Sequence, residues 1–172
     1  MIAARVWKFG DNVSTDLMLP GPALILTPEE QTRWVFQANR PGWVDEVQPG
    51  DCIVGGHRFG MGSSRPGARS LRNLGVGCVL AESIARLFFR NCVNFGLLAI
   101  ECPGIAGAFE EGQTAEFSTE DWTVRNRQTG QVLLCTPVPA MLLDLMRGGG
   151  IYPVLERNGL VAPAQPGHAA GR

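Results

Sequence analysis

The chain has 172 residues, 45% hydrophobic and 18% charged, the size and make-up of one globular domain. Its formal net charge of -1 offers no electrostatic basis for binding nucleic acid or an anionic membrane. The opening "MIAARVWKFGDN" lacks the apolar stretch of a signal peptide, and no run approaches the ~18–20 apolar residues of a membrane span, so a cytoplasmic location is expected.

Taken in order, "ARVWKFG" alternates and is rich in β-formers, and Gly10-Asp11-Asn12 signals the turn that ends it. "LMLPGPALIL" follows, its prolines and glycine breaking up regular structure. Thr27-Pro28-Glu29-Glu30 predicts a helix start, with Thr27 as N-cap, Pro28 at the first helical position and acids in the first turn. That helix is expected to run to about Asn39, before Pro41. Pro49-Gly50 then turns the chain into a buried strand at 52–54. Beyond a Gly/Ser-rich loop, "ARSLRNLG" reads as a short helix stopped at Gly75, and "VGCVLAE" as an apolar strand.

Ser83 is the expected cap of the clearest helix. Within it Ile84, Leu87, Phe88, Cys92 and Phe95 share one face, while Arg86, Arg90 and Asn94 share another that reads as solvated or intersubunit. Gly96 ends it and "LLAIEC" is the next strand, so this half predicts a parallel sheet with right-handed crossovers. In the remainder, "AEFSTEDWTVRNRQTGQVLLCTP" suggests short antiparallel strands with a hairpin turn at Thr129-Gly130. "VPAMLLDLMRGGG" is a short amphipathic helix, and "IYPVLER" resumes helical structure after Pro153. There are no repeats or linkers. The expected organisation is one α/β domain over 1–161, a parallel central sheet plus a smaller antiparallel sheet, with a disordered tail over 162–172.

Five cysteines, at 52, 78, 92, 102 and 135, form no C-x-x-C pair and mostly sit in apolar runs, so they read as structural. His57 and His168 are the two histidines, and neither sequence setting suggests a metal site or a triad. No metal is expected on this chain.

The chemistry concentrates in "RFGMGSSRPGAR", residues 58–69. Gly60 and Gly62 let backbone approach a ligand, a helix begins near Pro66, and Arg65 can grip a carboxylate or phosphate bidentately. Two phosphate motifs fail: no Lys completes a P-loop, and a G-x-G-x-x-G fingerprint would need Gly where Arg65 stands. What remains is either a strand–helix turn with capping serines or a carboxylate site beside a reactive serine. A serine alkoxide needs preorganised donors and positive charge, which this loop has. It lacks a metal or electrophile to complete a reaction, and so implies a partner.

Four stretches, "RVWKFGDNVSTDLMLPG", "VQPGDCIVGGHRFGMGSSR", "LGVGCVLAESIARLFFRNCVNFGLLAIEC" and "LLDLMRGGGIYPVLERNG", resemble the small subunits of 3-isopropylmalate dehydratases. More broadly the chain is similar to the swivel domain of the aconitase superfamily, over roughly residues 4–160. The resemblance implies a swivelling β/β/α domain that closes over a large subunit, in a heterodimer or heterotetramer. That partner carries a [4Fe-4S] cluster on its own cysteines, and one cluster iron binds the substrate as a Lewis acid. The implied activity is a hydro-lyase that moves a hydroxyl between neighbouring carbons of a hydroxydicarboxylic acid, most simply 3-isopropylmalate and 2-isopropylmalate in leucine biosynthesis.

Carried over residue by residue, the resemblance makes Ser63 the base and Asp16 an acid that orders the site. Gly62, Ser64, Arg65 and Thr15 bind substrate. The segment after "STD", with Pro20, Gly21, Ala23, Leu24, Ile25 and Leu26, selects the substrate side chain. It is apolar and uncharged from Leu17 to Pro28, which suits an alkyl substituent rather than a further carboxylate. A bland reading of Asp16 is a turn carboxylate that caps local N–H groups. Two positions depart from the family pattern: Pro66 stands where Glu is usual, and Pro22 where Arg or Lys is common. They leave open related dehydratases (of homoaconitate, methylmalate/citraconate or dimethylmalate type) and a non-catalytic module on the same fold.

Overall fold

A computed structural model describes residues 2–162; His168 and, beyond Ala162, the expected tail lie outside the described residues. Seven strands form one mixed sheet: β1 (Ile2–Lys8), β2 (Cys52–Gly55), β3 (Cys78–Ala81), β4 (Leu98–Glu101), β5 (Thr114–Ser118), β6 (Thr123–Asn126) and β7 (Val132–Leu134). Their order is β4-β3-β2-β1-β5-β6-β7. Strands β1 to β4 are parallel, whereas β5 to β7 pair antiparallel. The expected parallel and antiparallel parts are thus joined through β1, whose Val6–Lys8 end pairs β2 while its Ile2–Arg5 end pairs β5.

Strand alternation explains the two cores. Trp7, Ile53, Val79 and Ala99 point to one face, into a cluster with Phe9, Phe36, Trp43, Phe59 and Phe88. Val6, Cys52, Val54, Cys78, Leu80 and Ile100 point to the other, where Phe109, Phe117 and Leu143 meet them. Parallel strands buried on both faces read as continuous apolar runs, as "CIVG" and "CVLA" do. Aromatic rings in the first core meet mostly edge to face, as Phe36 does with Trp43 at 5.1 Å between centroids.

The helices are α1 (Thr15–Met18), α2 (Pro28–Thr32), α3 (Trp43–Glu46), α4 (Gly67–Asn73), α5 (Arg86–Phe95), α6 (Ile105–Ala108), α7 (Ala140–Arg147) and α8 (Ile151–Arg157), with a 3-10 turn at Gly21–Ile25. Several differ from the sequence expectations. Helix α2 has the predicted Thr27 cap, reinforced by a reciprocal bond from Glu30, but stops at Thr32. Phe36 takes a left-handed φ of 57° and donates its amide to Met18 O at 3.0 Å, because its ring is fully buried. Tertiary packing overrides helix propensity there.

The proline-rich stretch 18–26 is more regular than expected, containing the end of α1 and the 3-10 turn. Helix α5 starts at Arg86 without a side-chain cap, so Ser83 is not its cap. Helix α8 contains Pro153 rather than following it, which is tolerated because first-turn amides have no intrahelical acceptors. Gly150, with φ 105°, lets the end of α7 press on the end of α5: a Cβ there would lie 2.2 Å from Asn94 O.

At the amino end of β2, Asp51 is buried and saturated with donors. It accepts Arg5 Nη2 at 2.7 Å, Trp7 Nε1 at 2.7 Å and the Gln48 amide at 2.8 Å. Burial alone would push its carboxyl up, but Arg5, the Gln48 amide and Trp7 together hold it below the usual range.

Candidate active site

The site lies at the carboxyl ends of the parallel strands, where open α/β sheets place their ligands. The chain leaving β1 runs beside the chain leaving β2, and hydrogen bonds stitch the two together. Asn12 donates to His57 O at 2.8 Å, His57 N–H to Asp11 Oδ1 at 2.7 Å, Gly60 N–H to Val13 O at 2.7 Å and Thr15 N–H to Met61 O at 2.8 Å. This seam places "STD" against "GSSR", 47 residues apart at Asp16 and Ser63. Thr15, 1% exposed, donates its hydroxyl to Ser63 O at 2.8 Å and fixes the loop from beneath. Gly62 sits at φ 105°, a left-handed conformation open to glycine, and a Cβ there would lie 3.1 Å from Thr15 Oγ1.

Asp16, Ser63 and Arg65 meet in a triangle. Arg65 Nε lies 2.5 Å from Asp16 Oδ1, Ser63 Oγ donates to the same oxygen at 3.3 Å, and Arg65 Nε reaches Ser63 Oγ at 3.3 Å. Arg65 Nη1 donates to Leu19 O at 2.9 Å, which anchors the guanidinium to the segment after "STD". Its Nη2 and the amides of Gly62, Ser63 and Ser64 find no acceptor among the described residues. They are available to an anion from outside.

The adjacent serines diverge. Ser64 takes a long contact of 3.4 Å from Asn91 Nδ2, which also approaches Arg65 O at 3.4 Å. Asn91, on α5, was not singled out from the sequence; its signal is a polar residue between two buried-facing positions, Phe88 and Cys92. Ser83, not a helix cap, instead accepts the Arg58 amide on its hydroxyl at 2.9 Å and braces the loop's entry. Pro66 is the N-cap of α4, and its carbonyl takes the Ser70 amide at 3.0 Å, so the proline is accommodated at the helix start.

The segment after "STD" comes to the same face. Pro20 and Gly21 lead into the 3-10 turn, Ala23 is buried, and Leu24 and Ile25 are 42% and 91% exposed. Gln31 Nε2 holds Leu26 O at 3.1 Å, while Gln31 Oε1 takes Arg69 Nη2 at 3.0 Å, tying the segment to α4. Arg86 and Arg90 stay on the exposed face of α5 and join none of these contacts.

The cysteines do not fit an iron–sulfur cluster. All five are buried. Cys52 and Cys78 share a thiol contact, as do Cys102 and Cys135, and each such contact together with burial pushes the Cys52 and Cys102 thiols up, away from the thiolate a cluster needs. Burial does the same to Cys92. Among the described residues no three or more Cys, His, Asp or Glu side chains gather where they could hold a metal. Nor is any described helix long and apolar enough to cross a membrane.

Residues 30–104 match the family described as the Aconitase C-terminal domain. With the sheet and the serine–arginine loop, this places the chain in the class of aconitase-type swivel domains. It is 43% identical over 160 residues to the isopropylmalate/citramalate isomerase small subunit of Methanocaldococcus jannaschii, covering 92% of this chain and 95% of that one. It is 40% identical to 3-isopropylmalate dehydratase small subunit 1 of Thermotoga maritima, over 92% of this chain and 97% of that one. A crystal structure of 3-isopropylmalate dehydratase from M. jannaschii superposes with a TM-score of 0.86 at 30% identity, covering 92% and 95% of the two chains. The chain belongs to the family of 3-isopropylmalate dehydratase small subunits.

Proposed function

We propose that this chain supplies the base and the carboxylate grip of a cytoplasmic hydro-lyase that interconverts 3-isopropylmalate and 2-isopropylmalate in leucine biosynthesis. The observation that carries the reading is the Asp16–Ser63–Arg65 triangle at the carboxyl ends of the parallel strands. In this reading residues 1–161 act as one swivel unit that closes over a large subunit. The [4Fe-4S] cluster of that partner supplies a Lewis-acidic iron for the substrate hydroxyl and carboxylate.

This chain does the rest. Arg65, with Nη2 unspent, takes a substrate carboxylate through its planar fork, and the amides of Gly62 to Ser64 and the Ser64 hydroxyl add donors. Ser63 Oγ, as alkoxide, takes the proton from carbon; the guanidinium 3.3 Å away stabilises negative charge on that oxygen. Thr15 holds the loop in position, and Asp16 orders the Ser63 hydroxyl while the site is empty.

The test is reconstitution with the large subunit, following hydration of the alkene intermediate. Ser63→Ala should lower kcat by about 10²–10⁴, the usual loss on removing a general base, with the complex still assembled. Near-normal turnover would sink the assignment of Ser63 as the base; no hydro-lyase activity in the unaltered complex would favour a non-catalytic module.

A second reading concerns the substrate alone. The M. jannaschii relative is named for citramalate as well as isopropylmalate, so a methyl substituent is the competing fit. Leu24 and Ile25 offer apolar surface and no charge to a larger substituent. Two extra carbons at ~0.8 kcal/mol each favour isopropyl over methyl by roughly fifteenfold in kcat/KM. A ratio at or below one reverses the assignment.

A further inference from the structure

Asp16 spends its charge on the guanidinium that the proposed substrate needs. Its Oδ1 lies 2.5 Å from Arg65 Nε, yet the two partners are held very differently. The Arg65 side chain is 18% exposed and anchored through Nη1 to Leu19 O. The Asp16 side chain is 57% exposed and, among the described residues, pairs with Arg65 and accepts from Ser63 Oγ. Among the described residues no backbone amide caps it; the α1 N-terminus is capped by Ser14, whose hydroxyl accepts the Leu17 amide at 3.1 Å. The turn-capping role that the sequence allowed for Asp16 is therefore filled by its neighbour. A fixed cation and an exposed, solvated anion form a pair that an incoming anion can exchange.

We propose that Asp16 is an internal stand-in for the substrate carboxylate, seated on Arg65 while the site is empty and displaced when substrate binds. This rests on Arg65 as the carboxylate-binding residue. Until then the half-buried guanidinium is neutralised without a ligand, and Ser63 donates its proton toward an anion and so stays a hydroxyl. When substrate takes Arg65, the Asp16 charge leaves Ser63 Oγ and the guanidinium remains beside it, an environment that favours negative charge on the serine. Binding becomes an exchange of one carboxylate for another, which lowers apparent affinity by the share of chains with Arg65 occupied. A neutral ligand of similar shape has nothing to exchange, so the device selects for acids.

The test starts with the isolated full chain, whose outcome does not depend on any activity. The Arg65 Nε–H signal is followed by NMR while acetate is titrated at constant ionic strength, with Arg65→Ala to assign the response. Asp16→Ala should bind acetate about fivefold more tightly than the unaltered chain, the fold-change typical of losing one partly exposed ion pair. Asp16→Asn, nearly the same size, serves if the alanine variant does not fold. Equal affinities for the unaltered and charge-free chains overturn the proposal. In the assembled enzyme Asp16→Asn should lower KM for 3-isopropylmalate about fivefold with kcat little changed, a split that simple loss of structure does not produce. An unchanged or raised KM counts against it. An unaltered complex with no hydro-lyase activity would instead refute the proposed function and leave the acetate titration to judge this inference.

Discussion

Two aspartate–arginine pairs among the described residues, Asp51–Arg5 and Asp16–Arg65, could hardly be used more differently. Asp51 and Arg5 lie at the amino end of β2, where Trp7 and the Gln48 amide complete the carboxylate's partners. Asp16 and Arg65 lie at the opposite ends of the strands, with the carboxylate in solvent and one guanidinium nitrogen unspent among the described residues. A saturated pair has no capacity left for a visitor and contributes to folding; an unsaturated pair contributes little to folding and can receive one. Donor saturation, rather than the presence of an ion pair, separates the structural pair from the one proposed to do chemistry.

The sharpest way to break that contrast is at Asp51. Asp51→Ala strands the Trp7 indole N–H and the Gln48 amide, and should cost about 3 kcal/mol in urea unfolding. A loss comparable to that of an exposed pair would erase the distinction. Arg65→Lys tests the other side, replacing a fork with a point charge: KM of the assembled enzyme should rise about tenfold while stability changes by under ~0.5 kcal/mol. If stability falls as far as in the Asp51 variant, the second pair is structural too. Acid provides the mildest probe. Because the folded chain holds the Asp51 carboxyl below its unfolded value, its contribution is complete above about pH 3.9 and drains away as pH falls through the lower folded value. Asp51→Ala should lack that acid-induced loss in a pH series of unfolding curves.

Much of this was legible in the sequence, and the failures have physical causes. Strands β1 to β4 were readable because alternation and apolar runs report burial directly. The N-cap at Thr27 and the helix stop at Gly96 were readable because both are local. What failed depended on distant partners: the helix end at Thr32 is set by Phe36 reaching Met18, and Ser83 is drawn to the Arg58 amide rather than to its own helix. Of the proposed site, the loop's composition suggested an anion, and family resemblance supplied the roles proposed for Ser63 and Asp16. Neither told that Ser14 rather than Asp16 caps α1, or that Asn91 backs Ser64, since both depend on how two loops are stitched together.

The glycine contact at the far end of α5 reaches further than its position suggests. Gly150 and Gly149 lie against Asn94 and Gly96 so closely that no side chain fits between the two backbones. Helix α5 is therefore clamped at its last turn by the C-terminal helices, while its middle presents Asn91 to the reactive loop. Amide exchange at the end of α5 should then rise and fall with that of α7, as one cooperative opening. A chain cut before Gly148 would loosen the reactive loop from behind, without losing a single residue of the triangle.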